Sequence, residues 1–331
     1  MISLSAGSAT DVGLVRHDNE DAVLVAEPVF AVADGMGGYA GGAVASAIAV
    51  EHLRRLGASG QITSDDVYRA LTEANDEILR RGTEDPSTLG MGTTVAGLAL
   101  VHNGGSEYWL VFNVGDSRVY RYAEERLSQV SVDHSYTQEL IDEGRITAEE
   151  ALTHPERNVV TRALGSEPDV APDMWLMAPE SDETFLLCSD GLTRELDVDQ
   201  MEGLLRAQPD PQAACDELVS AAVQAGGRDN VSVVLVHVAS APSVDEATTP
   251  PSALRSSLHE SSADPEPASH DSEPAADGEP VVDAVPGSAV ELGQEAPAGA
   301  DIITDVPIVQ RPSGAAGTSG ETGMIEEVPG A

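Results

Sequence analysis

Lysine is absent from this 331-residue chain: the 17 basic residues are all arginines, against 57 acidic residues, and the formal net charge is −40. A chain with this excess of negative charge repels phosphate backbones and anionic lipid, which argues against nucleic-acid binding and membrane-surface binding. The same field attracts cations, including divalent metal ions. We therefore expect neither nucleic acid nor a membrane among its partners.

Cysteine and long apolar runs are also scarce. The two cysteines, Cys188 and Cys215, lack CxxC spacing, which favours buried thiols in a reducing compartment. The first residues show no basic segment followed by an apolar segment, as a signal peptide would. No run approaches the roughly 20 apolar residues that a membrane span needs. We expect a soluble, cytoplasmic protein.

Aromatic residues make up 3% of the chain, and none lies beyond residue 239. Residues 240–331 are rich in Pro, Ala, Ser and Gly and contain 17 acidic residues but only two arginines, Arg255 and Arg311. Such a segment buries too little apolar surface to offset the entropy of ordering its chain. We predict a folded domain over residues 1–239 and a disordered acidic tail over 240–331.

Strand patterns dominate the predicted domain. Alternating or continuous apolar segments predict strands over 4–10, 22–26, 29–33, 94–101, 107–114, 117–122, 184–188 and 231–238. Apolar residues at helical spacing predict helices over 41–57, 65–82 and 211–225. Because strands neighbour strands and helices form separate blocks, we predict an α+β fold with antiparallel sheets covered by helices.

The glycines after the strand at 29–33 admit two interpretations. Residues 35–40, GMGGYA, satisfy the G-x-G-x-x-A pattern between a strand and a helix, which is typical of dinucleotide-binding proteins such as nicotinamide-dependent oxidoreductases. Asp34, however, would lie beside the pyrophosphate that a helix N-terminus attracts. The ribose-binding acid is also missing, since Glu51 falls inside the predicted helix. This interpretation is the weaker one.

The second interpretation starts from acids at the ends of predicted strands. Four aspartates occupy such places beside glycine or asparagine: Asp34, Asp116, Asp190 and Asp229. Any one of them is by default a turn former or a cap. If the strands are neighbours, the four carboxylates converge, and such a cluster needs protonation or cations. Oxygen ligands without cysteine suit Mg²⁺ or Mn²⁺, and Arg16 offers a fork for a phosphate group.

Six short motifs occur in order along the chain. They are R-x-x-x-E-D from Arg16 to Asp21, D-G-M-G-G from Asp34 to Gly38, M-G-T-T from Met91 to Thr94, G-D-S-R from Gly115 to Arg118, S-D-G-L from Ser189 to Leu192 and G-x-D-N from Gly227 to Asn230. This set closely resembles the bacterial PPM-type, or type 2C, metal-dependent Ser/Thr protein phosphatases. Residues 133–165 are similar to the flap of the bacterial members. The resemblance spans residues 5–238 and leaves the tail uncovered.

The resemblance implies a four-layer α-β-β-α sandwich with two Mn²⁺ or Mg²⁺ ions at one end of its central sheets. Asp34, Asp190 and Asp229 would ligate the first ion. Asp34 and the Gly35 carbonyl would ligate the second, with Glu20 acting through water. A hydroxide bridging the two ions would attack phosphoserine or phosphothreonine in line, without a phospho-enzyme intermediate.

Further roles follow from the same resemblance. Arg16 would bind the substrate phosphate and, with Asp34, carry the catalysis. Asp21, Thr93 and Asn230 would support the ligands. The implied partners are phosphorylated proteins, with Hanks-type Ser/Thr kinases as natural counterparts, and we expect a monomer. The alternative is a catalytically weak signalling module of the same fold that binds phosphoproteins without turnover.

The sequence departs from the family pattern at three positions. Met36 stands where animal members carry a histidine, and Tyr39 where many bacterial relatives carry one. A third, looser ion in bacterial members would be held by Asp116 and Asp190. Relatives often have an acid four residues after that second aspartate, where this chain has Arg194. A cation there is expected to weaken the third metal site.

Overall fold

The computed structural model describes residues 2–37, 41–57 and 60–241. Twelve strands lie within these ranges: β1 Ser3–Asp11, β2 Ala22–Ala26, β3 Val29–Ala33, β4 Gly35–Met36, β5 Gly92–Thr93, β6 Val95–Asn103, β7 Ser106–Val114, β8 Arg118–Ala123, β9 Arg126–Gln129, β10 Asp173–Met177, β11 Glu183–Cys188 and β12 Val231–Ser240. The helices are α1 Gly41–Leu56, α2 Ser64–Glu84, α3 Tyr136–Asp142, α4 Ala148–Leu152, α5 Asp190–Thr193, α6 Val198–Ala207 and α7 Pro211–Ala225.

The strands form two five-stranded sheets and one small ribbon. Sheet 1 has the order β1-β12-β11-β8-β9, sheet 2 has the order β10-β7-β6-β3-β2, and β4 pairs with β5. Every strand pairing among the described residues is antiparallel. This pattern excludes a doubly wound parallel sheet there, and with it the dinucleotide-binding interpretation of the glycines.

Three apolar layers hold the sheets and helices together. Between the sheets, Trp109 and Phe30 of sheet 2 lie in the same buried cluster as Phe185 of sheet 1. The rings of Trp109 and Phe185 meet edge to face with centroids 5.6 Å apart, a favoured aromatic geometry. A second layer joins sheet 2 to α1 and α2, and a third joins sheet 1 to α5, α6 and α7. The predicted four-layer α-β-β-α sandwich is confirmed.

Local sequence explains where the long helices begin and what they bury. The Thr63 hydroxyl accepts a hydrogen bond from the Asp66 amide at 3.3 Å, and the Asp66 carboxylate accepts one from the Thr63 amide at 2.9 Å. This reciprocal capping fixes the first turn of α2. Val67, Leu71 and Ile78, at helical spacing, are fully buried against sheet 2. The helix therefore covers the face of sheet 2 that lies away from sheet 1.

Cys188 and Cys215 are buried free thiols, as predicted. No helix in the described ranges is long and apolar enough to cross a membrane. The predicted domain boundary at residue 239 falls at the end of β12, and residues 242–331 lie outside the described part of the chain. The disordered tail thus stays a prediction.

Candidate active site

The ends of four strands bring the predicted acids to one edge of the sandwich. Asp34 directly follows β3, and Asp21 directly precedes β2, its antiparallel neighbour. Asp190 follows β11, and Asp229 precedes β12, which pairs with β11. The two sheets meet at this edge, because the Ser189 hydroxyl beside Asp190 donates to Asp21 Oδ2 at 2.8 Å. Acids from distant parts of the sequence therefore lie together.

The charges of these acids repel one another. Burial is the largest cause that raises the pKa of Asp34 well above its usual range, and the charges of Asp21, Asp190, Asp116 and Asp229 raise it further. Removing a carboxylate from water and placing it beside like charges both disfavour the ionised form. Most of these carboxylates are half-buried, so water screens their mutual repulsion only in part.

The neighbouring acids show the same effect. Burial, followed by the charge of Asp116, raises the pKa of Asp190 to about 8, although Arg194 acts in the opposite direction. Burial also raises the pKa of Asp21 to about 6 and that of Asp116 and Glu20 in the same direction. A raised pKa shared by several neighbouring carboxyl groups is typical of a site that binds a cation.

Threonine hydroxyls and an asparagine fix the backbone around the acids. Thr93 Oγ1 donates to the Asp34 carbonyl at 2.9 Å, and the Asp34 amide donates to Thr94 Oγ1 at 3.1 Å. Asn230 accepts from the Glu20 amide at 2.9 Å and donates to the carbonyls of Val12 and Asp18, both at 3.0 Å. Both parts of the Asn230 amide are thus used, and an aspartate there would lose the two donated bonds.

Gly35 has a steric role that the sequence did not reveal. A Cβ at this position would lie 2.2 Å from the Gly42 carbonyl oxygen and 2.5 Å from the Glu20 carbonyl oxygen. Only glycine allows the β3–α1 connection to pass so close to the loop that carries Glu20. The expected use of the Gly35 carbonyl as a metal ligand remains a prediction. Gly38 and Tyr39 of the same motif lie outside the described residues.

Two arginines lie directly on the acids. Arg16 donates to both oxygens of Asp229, from Nε at 2.8 Å and from Nη2 at 2.8 Å. Arg194 Nη1 donates to Asp229 Oδ2 at 2.7 Å, and its Nη2 pairs with Asp190 Oδ2. Asp229 is therefore held by two guanidinium groups at once.

The donor set fits hard divalent cations. Glu20 Oε1, Asp21 Oδ1 and Asp190 Oδ1 are buried oxygens without a hydrogen-bond partner, and an unpaired buried carboxylate oxygen is costly unless a cation meets it. Oxygen ligands of this kind suit Mg²⁺ and Mn²⁺. The described residues nevertheless contain no three Asp, Glu, His or Cys side chains already arranged around one ion. The predicted ligands are close together, but they are not assembled as a coordination shell.

The family of this chain follows from comparison with known proteins. The family model for protein phosphatase 2C matches residues 8–224. The chain belongs to the protein phosphatase 2C family. The serine/threonine phosphatase stp of Listeria monocytogenes is 35% identical over 238 residues, covering 69% of this chain and 93% of its own length. PstP of Mycobacterium tuberculosis is 36% identical over 240 residues, which cover 71% of this chain and 45% of PstP.

Solved structures of bacterial members of this family share the fold. The Mycobacterium tuberculosis serine/threonine phosphatase PstP/Ppp superimposes with a TM-score of 0.67 at 33% identity, covering 72% of this chain and 99% of that one. The catalytic domain of PstP in complex with two manganese ions has a TM-score of 0.66 at 32% identity, with coverage of 72% and 100%. The predicted membership of the type 2C family is confirmed.

One ion pair beside the site of this phosphatase-family chain did not figure among the predicted site residues. Arg118 Nε donates to Asp133 Oδ1 and Oδ2, both at 3.0 Å, and its Nη2 donates to Oδ2 at 2.7 Å. The charge of Asp133 raises the pKa of Asp116, and that of Arg118 lowers it. The G-D-S-R motif pointed to Arg118, whereas no local signal marked Asp133, 15 residues further along the chain.

Proposed function

We propose that this chain is a metal-dependent protein-serine/threonine phosphatase that hydrolyses phosphoserine and phosphothreonine in proteins. The observation that carries the proposal is the set of buried, unpaired carboxylate oxygens beside an arginine fork, in a chain of the protein phosphatase 2C family. Phosphorylated proteins are the proposed substrates. Hanks-type Ser/Thr kinases, whose activity such an enzyme opposes, are proposed among them.

The residues proposed to hold the two principal Mn²⁺ or Mg²⁺ ions are Glu20, Asp34, Gly35, Asp190 and Asp229. The two manganese ions in the PstP complex support the number and the kind of these ions. The ions, when bound, supply positive charge that activates water and stabilises the phosphoryl group in the transition state. Asp116 and Asp190 are proposed to hold a third, weaker ion.

The side chains prepare this site in two ways. The strand ends place most of these acids at half-buried positions, where water screens their attraction for cations less than at an exposed surface. The Thr93 and Thr94 hydroxyls hold the Asp34 backbone, and Asn230 holds the loop of Glu20, at the distances given above. Because these bonds hold the backbone at Asp34 and the loop of Glu20, fewer groups need to reorganise when ions and substrate bind.

Arg16 is proposed to bind the phosphate while Asp229 orients it. Its Nε and one N–H of Nη2 are directed to Asp229, and its side chain is 51% exposed. A guanidinium has five N–H donors, so Nη1 and the second N–H of Nη2 are free to face a phosphate oxygen. The same arginine thus joins the acid cluster to the substrate.

The Arg16→Ala variant is expected to raise KM for a phosphothreonine peptide by roughly 10- to 100-fold, the loss expected for one charge-assisted pair of hydrogen bonds. Steady-state kinetics at saturating Mn²⁺ measure the effect, and kcat should change less than KM. Arg228→Ala is the matched control, because its guanidinium, next to Asp229 in sequence, pairs instead with Glu195 at 3.7 Å. Equal effects of both variants would contradict a direct phosphate contact.

A metal-titrated assay tests the proposed function. The purified chain is expected to release phosphate from p-nitrophenyl phosphate and from phosphothreonine peptides when Mn²⁺ or Mg²⁺ is added, and to lose this activity in excess EDTA. Readdition of Mn²⁺ should restore it. Activity that persists in EDTA would overturn the metal-dependent chemistry. Phosphopeptide binding without phosphate release at any metal concentration would favour the non-enzymatic signalling module.

A further inference from the structure

Arg194 lies immediately after α5, four residues beyond Asp190. One turn of helix places such residues on the same face, and the guanidinium returns to Asp190 Oδ2. Its other nitrogen, Nη1, reaches Asp229 Oδ2 at 2.7 Å, across to the segment that precedes β12. The Arg194 side chain is 30% exposed, and the side chains of Asp190 and Asp229 are 13% and 15% exposed. One half-buried cation therefore bridges two of the proposed metal ligands.

This bridge occupies oxygens that an ion would need. With Arg16 on both oxygens of Asp229 and Arg194 on one of them, neither oxygen of that carboxylate is without a cationic donor. Of the four carboxylate oxygens of Asp190 and Asp229, Oδ1 of Asp190 alone lacks a hydrogen-bond donor. A divalent ion bound at about 2.1 Å from these oxygens would lie next to the guanidinium, and the two positive charges would repel each other.

We propose that Arg194 is a built-in competitor of the divalent ions, which neutralises Asp190 and Asp229 until an ion displaces it. The inference rests on the proposed function, because it takes these carboxylates as metal ligands. Displacement of the guanidinium costs free energy. The apparent metal affinity is then the intrinsic affinity multiplied by the fraction of molecules in which the guanidinium has moved aside. Arg194 thereby sets the metal concentration at which the site fills.

A purely structural role for Arg194 predicts a different outcome. If the guanidinium only tied α5 to the segment before β12, its removal would loosen both aspartates and leave metal affinity unchanged or lower. If it competes, its removal tightens metal binding and, at the same time, destabilises the protein without metal, because two repelling carboxylates lose their counter-charge. The opposite signs of these two effects separate the roles.

Calorimetric titration of the full chain with MnCl₂, after treatment with EDTA and dialysis, measures the first effect. The Kd for Mn²⁺ is expected to fall about tenfold in Arg194→Gln, which removes the charge but keeps a hydrogen-bonding side chain. Arg194→Lys keeps the charge without the planar fork, and its Kd should lie between the two. The thermal midpoint in EDTA should fall in Arg194→Gln, and added Mn²⁺ should raise it by more than in the unsubstituted chain.

The control is Arg228→Ala, which removes one positive charge next to Asp229 while its own partner is Glu195. Its Kd should change by less than about twofold, since exposed charges are screened. A Kd in Arg194→Gln that is unchanged or higher would overturn the proposal. If Arg194→Gln does not fold, NMR of the unsubstituted chain provides a second test. The Arg194 Nε–H resonance, assigned by its loss in Arg194→Lys, should shift when Mg²⁺ is added. A resonance that does not move at saturating Mg²⁺ would also overturn the proposal.

The same titration distinguishes this inference from the proposed function. Mn²⁺ uptake by the unsubstituted chain with equal affinity in Arg194→Gln would contradict only the competition by Arg194. Absence of Mn²⁺ uptake by every variant and by the unsubstituted chain would contradict the metal centre itself, and with it both proposals.

Discussion

Asp34→Asn is expected to lower kcat at saturating Mn²⁺ by roughly 10³-fold or more, the size of effect seen when a primary electrostatic element of a site is removed. Asp34 is the proposed ligand shared by both principal ions, and four neighbouring carboxylates act on it. Asparagine keeps the shape of the side chain but loses the charge that attracts the ions. Initial rates with a phosphothreonine peptide over a Mn²⁺ series measure the loss.

Stability separates loss of function from loss of fold in this variant. Because Asp34 is half-buried among like charges, its neutralisation removes repulsion, and the thermal midpoint in EDTA should be equal to or above that of the unsubstituted chain. Asp182→Asn is the control: it makes the same chemical change at a turn where φ is 64°, a conformation that asparagine accepts. A lower midpoint for Asp34→Asn together with lost activity would point to a damaged fold instead.

The elements that the sequence predicted well are those with a long, regular pattern. The helix predicted over 65–82 corresponds to α2, Ser64–Glu84. It could be predicted because a capping residue marks its start and an apolar stripe marks its buried face. Strands buried on both faces, such as Val29–Ala33, stand out as continuous apolar runs bounded by turn residues. Such strands are easy to predict because burial on both faces requires every side chain to be apolar.

Several of the elements that the sequence analysis missed are short or lie at sheet edges. The edge strand β10, Asp173–Met177, follows a proline-rich loop, and its five residues are only partly buried. The edge strand β9, Arg126–Gln129, carries a single buried side chain, Leu127. The helices α3 and α4 in the segment similar to a flap have seven and five residues. Elements of this length depend on tertiary contacts more than on a local pattern, so they carry little signal.

For the candidate site, the sequence supplied residue types but not their partners. Acids at strand ends predicted a cluster, and the structure brings Asp34 close to Asp21, Asp116, Asp190 and Asp229. The contacts of Arg194 and Arg16 with a single carboxylate depend on how α5 and the β1–β2 loop approach each other. No spacing in the sequence records that approach. The positions of the two arginine side chains could therefore not be predicted. The sequence did show a positive charge at position 194, where relatives often carry an acid.

The Arg118→Ala variant is expected to lower the free energy of unfolding by about 3 kcal/mol, because it leaves the buried Asp133 carboxylate without the half-buried guanidinium that compensates its charge. The Asp133 side chain is 9% exposed and, besides three hydrogen bonds from Arg118, receives one from Gln129 at 2.9 Å. Urea unfolding in EDTA measures the change. Replacing both members, Arg118→Met with Asp133→Leu, should restore part of the lost unfolding free energy, since no unpaired buried carboxylate then remains.

Arg206→Ala gives this prediction its control. Arg206 pairs with Glu202 at 2.7 Å, the same nitrogen-to-oxygen distance as between Arg118 and Asp133, but its side chain is 52% exposed. Solvent screens that pair, and its loss should cost under about 1 kcal/mol. Two ion pairs with the same shortest distance would then differ in their contribution to stability, through burial and through the three hydrogen bonds that Asp133 accepts from Arg118. An equal loss of unfolding free energy in the two variants would contradict this prediction. The Arg118–Asp133 pair beside Asp116 would then stabilise the protein no more than an exposed ion pair does.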